Sequence, residues 1–110
     1  MEHAQEHVAL RAFRGTRRSS VYREHVLSES AFSEILSAGA ARGLALLSLL
    51  DADGRHELDK VGAKQLAEEA TDLRMSGQLP ELDDDLTGIA EVARWCAHAS
   101  EHTWLTIEGQ

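Results

Sequence analysis

A chain of 110 residues with 43% hydrophobic and 27% charged side chains is long enough for one modest core and has the make-up of an ordinary globular domain. Its formal charge of −8 opposes non-specific attraction to DNA, RNA or anionic lipid and favours a basic partner. The longest aliphatic run falls far short of the roughly 20 residues that cross a bilayer. The charged start Glu2, His3, Glu6, His7 argues against a secretory leader, and the lone Cys96 forms no internal disulfide. The expectation is a cytoplasmic protein without membrane attachment.

The charge is uneven. Residues 1–27 hold five arginines (Arg11, Arg14, Arg17, Arg18, Arg23) against three glutamates, a net of +2, which leaves −10 for the rest of the chain. A single domain over 1–110 is expected, with residues 1–20 a mobile basic segment at its margin. Within 1–18, Ala4, Val8, Ala12 and Phe13 suit a helix, whereas Val8, Leu10 and Ala12 suit a strand. Gly15 to Ser20 is polar and turn-prone. After it, Ser19 or Ser20 caps a short helix with Val21, Tyr22, His25 and Val26 inward, or Ser19 to Leu27 is extended. The residues leave both readings open.

Ser28-Glu29-Ser30 opens a firmer helix, with Phe32, Ile35, Leu36 and Gly39 along one side and Gly43 placed to end it in a left-handed cap. The stretch Leu44 to Leu73 is the centre of the chain. Aliphatic residues at 44–47, 49 and 50, bounded by turn residues, fit a strand buried on both faces; period alone leaves a helix open, and the turn that follows favours the strand. Asp51-Ala52-Asp53-Gly54 predicts a tight hairpin that returns through Arg55 to Leu58. Asp59 is an N-cap, and Ala63, Leu66, Ala67, Ala70 and Leu73 recur at helical steps behind it.

Ser76-Gly77 ends that helix, and Pro80 starts the next, expected over Glu81 to Ser100 with Leu82, Leu86, Ile89, Ala93 and Cys96 as its apolar stripe. Asp83, Asp84 and Asp85 fall in its first turn, where the helix dipole favours each by about 0.3–1 kcal/mol. Thr103 to Glu108 alternates and is β-branched, so it reads as a closing strand. The predicted fold is α+β: a small, mainly antiparallel sheet from about 45–51, 55–58 and 103–108, packed against two or three helices.

Several residue patterns carry potential chemistry. Asp51 and Asp53 before Gly54 invite a calcium loop. With Gly54 at the sixth position, however, Leu49 falls first, His56 eighth and Lys60 twelfth, all wrong for ligation. His3 with His7 and His98 with His102 have the four-residue spacing of metal ligands on a helix, and Cys96 and Glu101 lie near the second pair. A zinc site needs three or four converging ligands, so His98, His102 and Cys96 are weak metal candidates, and Cys96 on the apolar stripe is read first as a buried thiol. His25 and His56, without visible partners, are placed at the surface or an edge. The chain carries no G-x-S-x-G, Walker, G-x-G-x-x-G or C-x-x-C motif. Glu68-Glu69 and Asp83-Asp84-Asp85 are placed on helix surfaces facing solvent. The five N-terminal arginines could meet phosphates, but the acidic body favours their pairing within the protein or with an acidic partner. Arg17-Arg18-Ser19-Ser20 also matches a basophilic kinase site.

The pattern resembles a group of small uncharacterised actinobacterial proteins, through Leu50-Asp51-Ala52-Asp53-Gly54, Leu66 to Glu69, Cys96, His102 and Trp104 to Gly109. It covers roughly residues 30–109 and lacks the proline that follows the aspartate in that group. The resemblance implies a topology and a bacterial origin, and it transfers no activity and no functional residue.

The functional expectation is a non-catalytic acidic domain that binds another protein, in its most concrete form an inhibitor or immunity-type protein masking a basic partner. Asp83, Asp84, Asp85, Glu68 and Glu69 are the expected contact acids, with Trp104 or Trp95 as the anchor, and no cofactor is expected. The alternatives are a small metal-binding protein built on the His/Cys cluster, or a homo-oligomeric (for instance dimeric) structural protein.

Overall fold

The structure, a computed structural model, describes residues 6–15, 21–99 and 102–109. Strands β1 (His7–Arg14), β2 (Val21–Ser28), β3 (Arg55–Leu58) and β4 (Thr103–Gly109) form one antiparallel sheet in the order β2-β1-β4-β3. Helices α1 (Glu29–Ala41), α2 (Lys60–Ser76) and α3 (Asp83–His98) share one face of it, so the α+β architecture holds.

Strand alternation sorts the side chains. Val8, Leu10 and Ala12 of β1 join Leu105 and Ile107 of β4 in the core beneath the helices. Arg11 and Phe13, with Trp104, lie on the other face, where Phe13 and Trp104 stack with ring centroids 5.4 Å apart. Residues 7–14, expected in a mobile margin, are thus a central strand paired on both sides. Their strand pattern wins because both neighbours supply hydrogen bonds and the even positions reach the core. The extended reading of 21–27 also holds. One register shift between Ala12 and Phe13 leaves Tyr22 as an extra residue in β2, a bulge of the kind that re-aims a side chain.

The helix boundaries follow their caps. Ser28 Oγ accepts the Ala31 amide, Asp59 Oδ1 accepts the Gly62 amide, and Gly43 and Gly77 take the left-handed conformations that end α1 and α2. A 3-10 turn over Pro80–Leu82 leads into α3, which starts at Asp83 rather than Glu81. At its other end the Thr103 hydroxyl donates to Cys96 O (2.8 Å), and Lys60 Nζ donates to Ala99 O.

Leu44 to Leu50 is not a strand. It forms turns and a 3-10 helix at Leu47–Leu49, and 45–51 makes no hairpin with 55–58. Leu47 and Leu50 are buried three residues apart while Leu49 is 76% exposed, a period of three rather than two. The sheet position expected for this run is taken by β4, which pairs with β3 on one side and β1 on the other. Backbone amides that a strand would have paired are held instead by Glu69 of α2, which accepts from Leu46 N (3.0 Å) and Leu47 N (2.9 Å). Asp51-Ala52-Asp53-Gly54 does turn the chain. Asp51 Oδ1 accepts the Asp53 and Gly54 amides, and Gly54 is not among the positive-φ glycines, so this is an Asx turn leading into β3 rather than a hairpin corner.

Candidate protein-binding surface

Residues 29–98, which hold the three helices and β3, carry fourteen acidic and six basic side chains, a net of −8. The five acids expected to contact a partner are not gathered in one place. Asp83 pairs with Arg74 at 2.9 Å and closes the α2–α3 corner. Asp85 Oδ1 accepts from His25 Nε2 of β2 at 2.9 Å. Asp84 is exposed, and Glu68 is exposed on α2, where it lines a groove against α3.

Glu69 is not at the surface. It is 7% exposed, and besides the two backbone amides it accepts from Gln65 Nε2 at 2.9 Å. Its place facing Leu46 and Leu47 could not be read from the helical pattern, because it depends on where the preceding loop runs. Trp104 is likewise apart from the acids. It lies half-buried on the helix-free face of the sheet, stacked on Phe13 and beside His102.

A surface that does combine acids with aromatics is built by α3 and the start of β2. Asp84, Glu91 and Trp95 recur at seven and four residues, which places them along one side of α3. The bulge in β2 brings Tyr22 to this side, its ring 4.3 Å from that of Trp95. Tyr22 is 40% exposed. Arg14 and Arg23 lie over the Tyr22 ring at 4.4 and 4.8 Å, and Arg23 also reaches Trp95. Below them His25 lies across Gly88, close enough that any larger residue at 88 would collide with the imidazole. His25 and His56 lie on β2 and β3, the two edge strands, as expected, and each has a partner the sequence did not show, Asp85 for His25 and Asp51, 3.7 Å away, for His56. Sequence reasoning missed Tyr22 and Glu91. The spacing 84, 91, 95 could have flagged Glu91, but no linear signal announced the bulge.

The arginine cluster divides between faces. Arg11 pairs with Glu24 across the open side of the sheet at 2.6 Å, Arg14 and Arg23 stack on the helix side, and Arg17, Arg18, Ser19 and Ser20 lie outside the described residues. The metal candidates also diverge. His98 opens onto the α2–α3 groove, His102 sits against Trp104, and Cys96 is buried beside Thr103. Among the described residues no three His, Cys, Asp or Glu side chains are grouped to hold a metal ion; His3 lies outside them. Burial pushes the Cys96 thiol above its ordinary pKa, which keeps it protonated and a poor nucleophile. No helix among the described residues is long and apolar enough to cross a membrane.

No family model, no curated protein and no solved structure matches this chain.

Elsewhere, Glu6, Glu29 and Asp53 bring three carboxyl groups together where α1 begins, around a shallow cavity of about 220 Å3. Hydrogen bonding to Glu6, then to Asp53, and the like charges of both raise the Glu29 pKa from 4.5 to about 7. The folded state then holds a proton that the unfolded state has released. The resulting stabilisation is present below about pH 4.5 and is lost as pH rises through 7. Glu29→Gln is expected to flatten the change in urea midpoint between pH 5 and 8 and to raise the midpoint above pH 7. An unchanged pH profile would show that the three groups do not interact.

Proposed function

We propose that this domain is a non-catalytic binding module and that a basic protein docks on the face formed by α3 and the start of β2. The observation that carries this reading is the partly exposed Tyr22–Trp95 pair lying on the same side of α3 as Asp84 and Glu91. Aromatic pairs of this kind supply anchoring area at an interface, while the acids chiefly speed encounter and set register. Trp95 takes the anchoring role here, because Trp104 is on the opposite side of the sheet from the acids. Groups with reactive chemistry are already engaged: His25 with Asp85, Cys96 with Thr103, Glu69 with backbone amides. In its concrete form the module is an inhibitor or immunity-type protein that covers a basic surface. The lone buried thiol suits a reducing cytoplasm, and the resemblance noted in the sequence suits a bacterial source.

The test is capture from a lysate of the source cells, with the wild type, a Tyr22→Ala/Trp95→Ala variant and an Asp84→Lys/Glu91→Lys variant run side by side. A basic protein retained by the wild type should be lost from the aromatic variant. From the charge variant it should dissociate at lower salt, since each lost pair weakens binding by about 0.2–1 kcal/mol at an exposed rim. Equal retention by all three would place the contact elsewhere.

A further inference from the structure

The outward side of α2 carries a pattern that reads the same in both directions. Val61, Lys64, Glu68, Asp72 and Met75 fall within one stripe of the helix, with Gln65 and Thr71 on its flanks. Counting outward from Glu68, Lys64 and Asp72 are each four residues away, and Val61 and Met75 are each seven. Val61 and Met75 are 75% and 80% exposed, among the most exposed apolar side chains of the described residues. Neither is accounted for by the core or by the α3–β2 face.

We infer that this stripe is a two-fold interface between two copies of the chain. If the α2 helices of two copies pack antiparallel with the axis passing at Glu68, Val61 of each meets Met75 of the other, and Lys64 of each meets Asp72 of the other. Gln65 and Thr71 are matched in the same way. This is the isologous arrangement, in which residue i touches j and j touches i. The distance from Val61 to Met75 is about 21 Å at 1.5 Å per residue, so the paired helices touch over four turns.

Charge permits self-association at this patch. A body of net −8 repels its own copy, so self-association requires a region where the signs balance. Lys64 and Arg94 offset Glu68 and Asp72 along a groove of about 410 Å3, floored by Ala67 and Ala97 between α2 and α3. Asp72 already binds Arg42 at 2.9 Å, which leaves one oxygen for a second cation, whereas Lys64 has no carboxylate partner among the described residues. The single discord is Glu68, which faces its own copy across the axis with Arg94 as the nearest groove-lining cation. The stripe is distinct from the α3–β2 face, so a basic partner and a second copy can bind together.

Sedimentation equilibrium tests the inference. From about 5 to about 500 µM the mass should move from 12.1 kDa towards twice that value, as mass action requires. Lys64→Glu and Asp72→Lys should each remain monomeric over that range. Mixed in equal amounts, however, the two variants should form a heterodimer, because each 64–72 contact is then of opposite sign. Glu68→Gln should tighten the dimer several-fold by removing the like-charge meeting at the axis. Circular dichroism of each variant confirms that α2 is still folded. A wild type that stays at 12.1 kDa, or a dimer indifferent to both single substitutions and to their mixing, overturns the two-fold interface.

Discussion

Replacing Glu69 with alanine is expected to destabilise the fold by about 2–5 kcal/mol, the largest effect of any single polar substitution here. The carboxylate is 7% exposed and holds the Leu46 and Leu47 amides at 3.0 and 2.9 Å, with Gln65 on its remaining lone pairs. Those amides open the 3-10 turn at Leu47–Leu49, where no other side chain among the described residues caps them. Truncation leaves two donors without an acceptor in a place that also loses packing. Glu69→Gln keeps one acceptor oxygen and should recover about half of the loss, because its amide group offers a donor where the second backbone N–H needs an acceptor. Urea denaturation of the three proteins checks the order wild type, Gln, Ala. An alanine variant within about 0.5 kcal/mol of wild type would mean that the loop does not depend on this carboxylate.

The second large effect is expected at Gly39. A methyl group there would stand 2.7 Å from Leu47 Cβ and 2.6 Å from Leu47 Cδ1, well inside contact distance. Alanine raises helix propensity by about 1 kcal/mol, but overpacking of a filled core costs about 1–3. The collision involves Cβ, which moves only with the backbone, so the cost lies at the upper end of that range and the net result is a loss of about 2 kcal/mol. In a Leu47→Ala background the same change should cost about 1 kcal/mol less, because the branched end that collides has gone. Additive losses in the two backgrounds would place Leu47 away from α1. Glu69 and Gly39 act on the same seven residues from opposite sides, one by hydrogen bonds and one by allowing α1 to approach.

That segment is also where reading the sequence failed. Leu44 to Leu50 has the composition of a buried strand, and its period was masked because Leu46 and Leu49 fill the gaps between the residues that are buried. Two features with no local signature chose the outcome: a carboxylate from the next helix, and a glycine in the preceding one. Elements whose ends are set by adjacent residues were legible, as Ser28, Asp59, Gly43 and Gly77 show. So was the strand at 103–108, whose alternation is its own evidence of two unlike faces.

The candidate surface divides along the same line. The acidic first turn of α3 and the apolar character of Trp95 belong to the sequence, since dipole, charge and ring are local properties. The engagement of Asp83 with Arg74 and of Asp85 with His25, the burial of Glu69 and the distance of Trp104 from the acids belong to the tertiary structure. Each depends on which residue of a remote element stands opposite, and a single extra residue in β2 turned Tyr22 towards Trp95. By itself the sequence determined an acidic α+β domain with two capped helices, a third helix that opens on three aspartates, and a C-terminal strand. Only the packing of that strand between β1 and β3 decided which side chains share a face, because pairing partners far apart in the chain set the register that period and propensity leave free.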